Sequence, residues 1–113
     1  MDERRELTLD VDASPDVATV RCQGRLTVTS AAELRETVKP LVAGRTTVTL
    51  DFTDVTLMDS VGLGTIVSLY VSARNANCRL LVVNVTPRIR EIFSITRVLA
   101  LFEAVGEGNV RIP

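Results

Sequence analysis

The chain has 113 residues, 46% of them hydrophobic and 24% charged, which is the composition of one compact globular domain and excludes a disordered chain. Thirteen basic residues against fourteen acidic ones leave a net charge of -1, against the requirement of a nucleic-acid binder for an excess of Lys and Arg. No histidine is present, so the commonest general base and the usual metal ligand are both missing.

These absences shape the expected chemistry. Ser-His and Cys-His nucleophilic arrangements are excluded, and Lys39, the one lysine, falls in the middle of an expected helix. No catalytic residues, no metal site and no cofactor are therefore expected, and the protein reads as a binding module, not an enzyme. No apolar run reaches the ~20 residues needed to span a bilayer. Met1-Asp2-Glu3-Arg4-Arg5-Glu6 is not followed by the apolar core of a signal peptide, so a cytoplasmic location is expected. Cys22 and Cys78 lack a C-x-x-C spacing and suit two buried thiols; a redox-sensitive disulfide between them is the alternative.

Leu7-Thr8-Leu9-Asp10-Val11 alternates apolar and polar residues, as a half-buried strand does. Ala13-Ser14-Pro15-Asp16 is a turn cluster, and Val17 to Gln23 completes a hairpin. Gly24 then punctuates the chain, with an extended segment expected to resume over Arg25-Leu26-Thr27-Val28. Ser30 followed by Glu33 is a capping box, and Leu34, Val38, Leu41 and Val42 share one helical face that ends at Gly44. Thr47 to Phe52 alternates as a strand. A second helix is expected from about Ser60 to Arg74, with Leu63, Ile66, Val67 and Tyr70 turned to the core.

Arg79 to Val85 is nearly continuous apolar sequence, as expected of a central strand covered on both faces. Thr86-Pro87 opens a third helix with an inner stripe of Ile89, Ile92 and Phe93. Leu101 to Val105 reads as a last short strand, and Gly106 to Pro113 as a tail. The order predicts an α/β fold: a mixed sheet, antiparallel at its start and parallel in its second half, with helices packed against it. The whole chain is one domain with a core of about residues 5 to 105.

Asp51 to Thr65 is the stretch that structural convenience does not explain. It joins a strand to a helix, and its loop is expected outside the carboxyl end of a parallel strand, where such sheets place ligands. Asp59 suits the N-cap, as a simple cap, a contact residue or both, and Ser60 becomes the first helical residue with an outward hydroxyl. Gly62 and Gly64 each cost a helix interior about 1 kcal/mol relative to alanine, so something must compensate. They stand about 200° apart around the axis, which suits one to close packing on the sheet and the other to an exposed groove. Met58, Val61 and Leu63 are expected to add apolar surface around the hydroxyl.

Phe52-Thr53-Asp54-Val55-Thr56-Leu57-Met58-Asp59-Ser60-Val61-Gly62-Leu63-Gly64 resembles the central motif of bacterial anti-sigma factor antagonists, which are STAS domains. Gly24-Arg25-Leu26 is similar to the family's earlier turn, and Thr86-Pro87 with Ile89 and Phe93 to its later strand-to-helix junction. The resemblance spans roughly residues 5 to 105. It implies a partner switch: the unmodified protein binds an anti-sigma factor, a serine kinase of the histidine-kinase-like ATPase fold, and so frees a sigma factor for transcription. It further implies phosphorylation at Ser60 and reversal by a phosphatase.

The partner-binding set under this resemblance is Thr27, Met58, Asp59, Ser60, Val61, Gly62 and Leu63. Many relatives carry aspartate where this chain has Thr27, which by itself reads first as a strand-end threonine. Relatives often finish with another amphipathic helix, which here is missing or cut short. Two other functions stay open. One is a STAS accessory subunit of a membrane transporter that is not phosphorylated; the other is a nucleotide- or lipid-binding module, although the Asp51–Thr65 stretch holds no Lys or Arg for a phosphate. A monomer and a weak dimer are both compatible with the sequence.

Overall fold

The computed structural model describes residues 6–95. The expected last strand over 101–105, the tail and any further helix lie outside the described residues. Seven elements follow in order: β1 (Leu7–Ala13), β2 (Val17–Leu26), α1 (Ala31–Val42), β3 (Thr47–Met58), α2 (Ser60–Asn75), β4 (Arg79–Val83) and α3 (Pro87–Ile95). The sheet order is β1-β2-β3-β4, antiparallel between β1 and β2 and parallel thereafter. This is the mixed architecture expected from the sequence.

Alternation along the strands decides where the core lies. Ala18 and Val20 of β2 stand in register with Val48 and Leu50 of β3, and these with Leu80 and Val82 of β4. All six are buried in one cluster with Leu34 and Val38 of α1, Ile66 and Leu69 of α2, and Ile89 and Phe93 of α3. The intervening residues Thr8, Asp10, Arg21 and Gln23 are exposed, so the opposite sheet face is polar. This corrects the expectation for β4. It is the end strand among the described residues, and Leu81 and Val83 are only half-buried between the buried Leu80 and Val82.

Two further corrections concern strand limits. β2 does not break at Gly24 but runs through it to Leu26, while Thr27 and Val28 belong to a turn. Gly24 adopts φ +115°, and a side chain there would strike the Glu6 carbonyl. β3 is twice as long as expected, since it does not end at Phe52 but continues from Thr53 to Met58, where a loop was expected. Its pairing with β4 stops at Asp51–Val83, yet its pairing with β2 continues to Leu26–Met58.

That continuation contains two register shifts. Arg21 pairs with Asp51 and Gln23 with Asp54; Gly24 pairs with Val55 and Arg25 with Leu57. Each shift puts one extra residue into β3, which is a β-bulge. The buried positions consequently fall at Phe52, Val55 and Met58, three residues apart instead of two. The Asp51 carboxylate fastens the first bulge, its Oδ1 accepting from the Thr53 N–H (3.0 Å), the Thr53 hydroxyl (2.6 Å) and the Asn84 amide (3.2 Å). Partial burial raises its pKa, but these bonds prevail and hold it below the ordinary aspartate value.

The helix ends are partly as expected. Gly44 follows α1 at φ +84°, and the Thr86 hydroxyl accepts from the Ile89 N–H (3.3 Å) at the start of α3. Ser30, however, makes no side-chain cap bond to α1. Its hydroxyl is taken by the turn before it, donating to the Arg25 carbonyl (2.7 Å) and accepting from the Thr27 N–H (3.0 Å). The capping-box reading is therefore corrected.

Cys22 and Cys78 are both free and buried. Cys78 precedes Arg79, which is level with Thr47 and hence with Val17. Cys22 lies five positions further along β2, roughly 16 Å at ~3.3 Å per residue, well beyond disulfide reach. Burial, with the Asp51 carboxylate adding to it, pushes the Cys22 thiol up to about 12; burial also raises Cys78. A thiol reagent at pH 8 is expected to leave Cys22 unmodified in the native protein and to modify it promptly in denaturant, followed by mass spectrometry. Prompt native labelling at Cys22 would contradict this packing.

Candidate functional site

A single residue, Asp59, separates β3 from α2. Its backbone is extended (φ -102°, ψ -175°), as an N-cap requires. Its Oδ1 accepts from the Gly62 N–H at 2.8 Å, satisfying one of the orphan donors of the helix start. Its Oδ2 reaches away from the helix and accepts from the Val28 N–H at 2.9 Å. One carboxylate therefore joins the start of α2 to the turn between β2 and α1. Backbone bonds from Gly62 first and Val28 second hold the Asp59 carboxyl below the usual aspartate value.

Gly62 explains why the two segments can meet. It is buried, and a Cβ at this position would collide with the Leu26 carbonyl oxygen and the Leu26 side chain. The Asp59 N–H also donates to that carbonyl (3.2 Å), and the Leu63 N–H to the Asp59 carbonyl (2.9 Å). Gly64 is exposed and has open space where a side chain would be. The expected division of labour between the glycines holds: Gly62 packs on the sheet, and Gly64 leaves a bare patch.

The turn from Thr27 to Ser30 is bonded throughout. Thr27 N–H donates to the Ser30 hydroxyl, Val28 N–H to Asp59, Thr29 N–H to the Thr27 hydroxyl (3.3 Å) and Ser30 N–H to the Thr27 carbonyl (3.0 Å). The Thr27 hydroxyl donates to the Glu6 carboxylate at 2.5 Å. Thr27 is thus half-buried and turned toward β1, fastening the turn.

Ser60 is exposed as the first residue of α2, as expected. Val61 is 42% exposed. Met58, expected to add apolar surface around the hydroxyl, is instead 3% exposed and faces the core at the end of β3; Leu63, read both as part of that surface and as core, is 8% exposed and takes the core role on the sheet side of α2. The exposed apolar residues at this site are Val61, the chain neighbour of Ser60, and Val28 (67% exposed), brought here by its bond to Asp59. Val28 was not singled out from the sequence, since only the Asp59–Val28 bond, between residues 31 apart, brings it here. Both Asp59 oxygens are engaged by backbone donors, which suits the carboxylate to holding structure and not to abstracting a proton. Among the described residues no group of His, Cys, Asp and Glu has the arrangement of a metal site.

The exposed serine at the start of α2 is carried by a mixed sheet whose described helices pack on one side. The family model for the STAS domain matches residues 8–108, and the chain belongs to that family. It is 29% identical over 107 residues to the anti-sigma-B factor antagonist of Bacillus subtilis, covering 93% of this chain and 98% of that protein. Its fold is similar to that of the Bacillus anti-sigma factor antagonist SpoIIAA in the unphosphorylated form (TM-score 0.73, 17% identity, 94% of this chain and 88% of SpoIIAA) and in the phosphorylated form (TM-score 0.70, 17%, 94% and 91%). It is also similar to a part of the murine anion transporter Slc26a9 (TM-score 0.72, 17% identity, 88% of this chain but 16% of the transporter).

The two glycines separate in a stability measurement. Gly62→Ala is expected to cost at least ~2 kcal/mol in denaturant unfolding, because backbone must move, whereas Gly64→Ala is expected to be neutral or stabilising by up to about 1 kcal/mol. Equal effects would refute the assigned packing. The depressed Asp59 pKa gives a second expectation. Its contribution is present above the unfolded value near pH ~4 and is lost as pH falls through the lower folded value. The stability advantage of wild type over Asp59→Asn, measured by urea midpoints, should therefore narrow as pH drops below about 4; a gap that stays constant would contradict it.

Proposed function

We propose that the protein is an anti-sigma factor antagonist whose binding face is switched by phosphorylation at Ser60. The observation that carries this reading is the exposed Ser60 at the first position of α2, beside an Asp59 carboxylate held in place by two backbone bonds. The partner is an anti-sigma factor that is also the serine kinase, of the histidine-kinase-like ATPase fold, and a phosphatase resets the switch. In its unmodified form the antagonist occupies the anti-sigma factor and so frees a sigma factor for transcription, as part of a cytoplasmic stress response. The protein itself catalyses no reaction and uses no cofactor. Full-length similarity to the B. subtilis antagonist, and the existence of SpoIIAA in both phosphorylation states, support this reading.

The physics of the switch is electrostatic. Phosphorylation adds about -1.5 to -2 charge. The folded domain tolerates it, since a helix N-terminus with its exposed N–H groups favours an anion. A partner surface fitted to a neutral hydroxyl faces that charge next to the Asp59 carboxylate, and desolvating both in an interface is costly. The core keeps its arrangement while the partner is excluded. Of the proposed contact set, Asp59, Ser60 and Val61 meet the partner, while Thr27, Met58, Gly62 and Leu63 contribute by shaping what lies beneath.

A pull-down from native lysate with wild type, Ser60→Ala and Ser60→Glu tests this. Mass spectrometry is expected to identify the kinase with the first two and to find its recovery reduced at least about tenfold with Ser60→Glu. Equal recovery with all three would overturn the switch. Recovery of a transporter subunit without phosphate on Ser60 would assign the chain to the accessory role instead.

A further inference from the structure

The geometry points to Val28 as a preorganised apolar anchor of the partner-binding face, with Asp59 as the residue that positions it. The inference rests on the antagonist reading and names a specificity-determining contact outside the Ser60 motif; its occupant is the apolar surface of the anti-sigma factor kinase that covers Ser60.

Three observations converge. Val28 is 67% exposed, more than any other large hydrophobic residue among those described. A lone exposed valine needs no explanation. This one, however, stands at the tip of a turn in which all four N–H groups, from Thr27 to Ser30, are bonded. A β-branched side chain on so fixed a backbone has little freedom left to lose on binding, which removes much of the ordering cost of an interface. Finally, the Val28 N–H is held by the carboxylate of Asp59, the neighbour of Ser60, so the Thr27–Ser30 turn is tied to the start of α2, where Ser60 and Val61 are exposed. Val11, Val17 and Val71, the other exposed valines, lie on β1, β2 and the body of α2, without such a tether to the serine.

The two oxygens of Asp59 allow a clean test. Asparagine caps a helix as well as aspartate does, so Asp59→Asn keeps an oxygen for the Gly62 N–H. Its amide nitrogen is a donor and cannot accept from Val28. The substitution therefore cuts the tether and spares the cap.

Amide exchange by NMR on the isolated protein is expected to show, in Asp59→Asn, faster exchange at Val28 with Gly62 still protected. Calorimetric titration with the purified kinase recovered in the pull-down is expected to show binding weakened at least about tenfold by Val28→Asp, whose carboxylate would have to be desolvated in an apolar contact. Its urea midpoint should match wild type, since Val28 is exposed. Asp59→Asn should weaken binding in the same direction. Unchanged Val28 exchange in Asp59→Asn would overturn the positioning role, and wild-type affinity in Val28→Asp would overturn the anchor. Those results leave the Ser60 switch standing. If wild type and Ser60→Ala recover no kinase, the antagonist reading fails and the anchor falls with it, whatever the exchange data show.

Discussion

The carboxylate of Asp59 is the constraint on which the site depends. One oxygen closes the first turn of α2 and the other holds the turn that leads into α1, two segments that are 31 residues apart in sequence. The longer-range bond relies on Gly62, because a Cβ there would collide with the Leu26 carbonyl and push the helix start away from the β2–α1 turn. A motif of three positions, aspartate, serine and glycine, thus has a division of roles. Asp59 joins, Gly62 permits the approach, and Ser60 is left outside as the exposed group.

This arrangement depends in turn on the bulged second half of β3. A regular strand would continue the core face of Val48, Leu50 and Phe52 through Asp54 and Thr56, whereas the bulges turn Val55 inward in their place and still bring Met58 to the core. Two inserted residues reset the inward positions to Phe52, Val55 and Met58 and let β3 follow β2 to its end, well past the last residue paired with β4. The Asp51 carboxylate, bonded to Thr53 and Asn84, fixes the first of these irregularities. Sheet geometry and site geometry are therefore one problem: the strand extension delivers Asp59 level with the turn after Leu26, where its second oxygen finds the Val28 N–H.

Much of this was legible in the sequence, for identifiable reasons. The helices declared themselves through apolar spacing and through Gly44, Thr86 and Pro87, whose effects are local. Asp59 as cap, Ser60 as first exposed residue and the opposed roles of Gly62 and Gly64 followed from helical geometry alone. The length of β3 did not, because bulges break the two-residue period by which strands are read. The Ser30–Glu33 pattern was misleading for a related reason: the Ser30 hydroxyl had a better offer from the Arg25 carbonyl and the Thr27 N–H than from α1. Val28 was invisible because its place beside Ser60 is created by a tertiary hydrogen bond. The inward role of Met58 likewise requires the extension of β3, whereas helical spacing had already put Leu63 on the core face of α2.

The central claim is that another protein covers the Ser60 hydroxyl only while it is uncharged. The most direct measurement is the affinity of the kinase for the unmodified protein and for protein stoichiometrically phosphorylated at Ser60, with an NMR amide spectrum of each form. Phosphorylation is expected to abolish measurable binding while chemical-shift changes stay within the first turn of α2 and the Thr27–Ser30 turn. Equal affinities, or changes spread through Leu50, Phe52 and the rest of the core, would contradict exclusion at an otherwise unchanged surface.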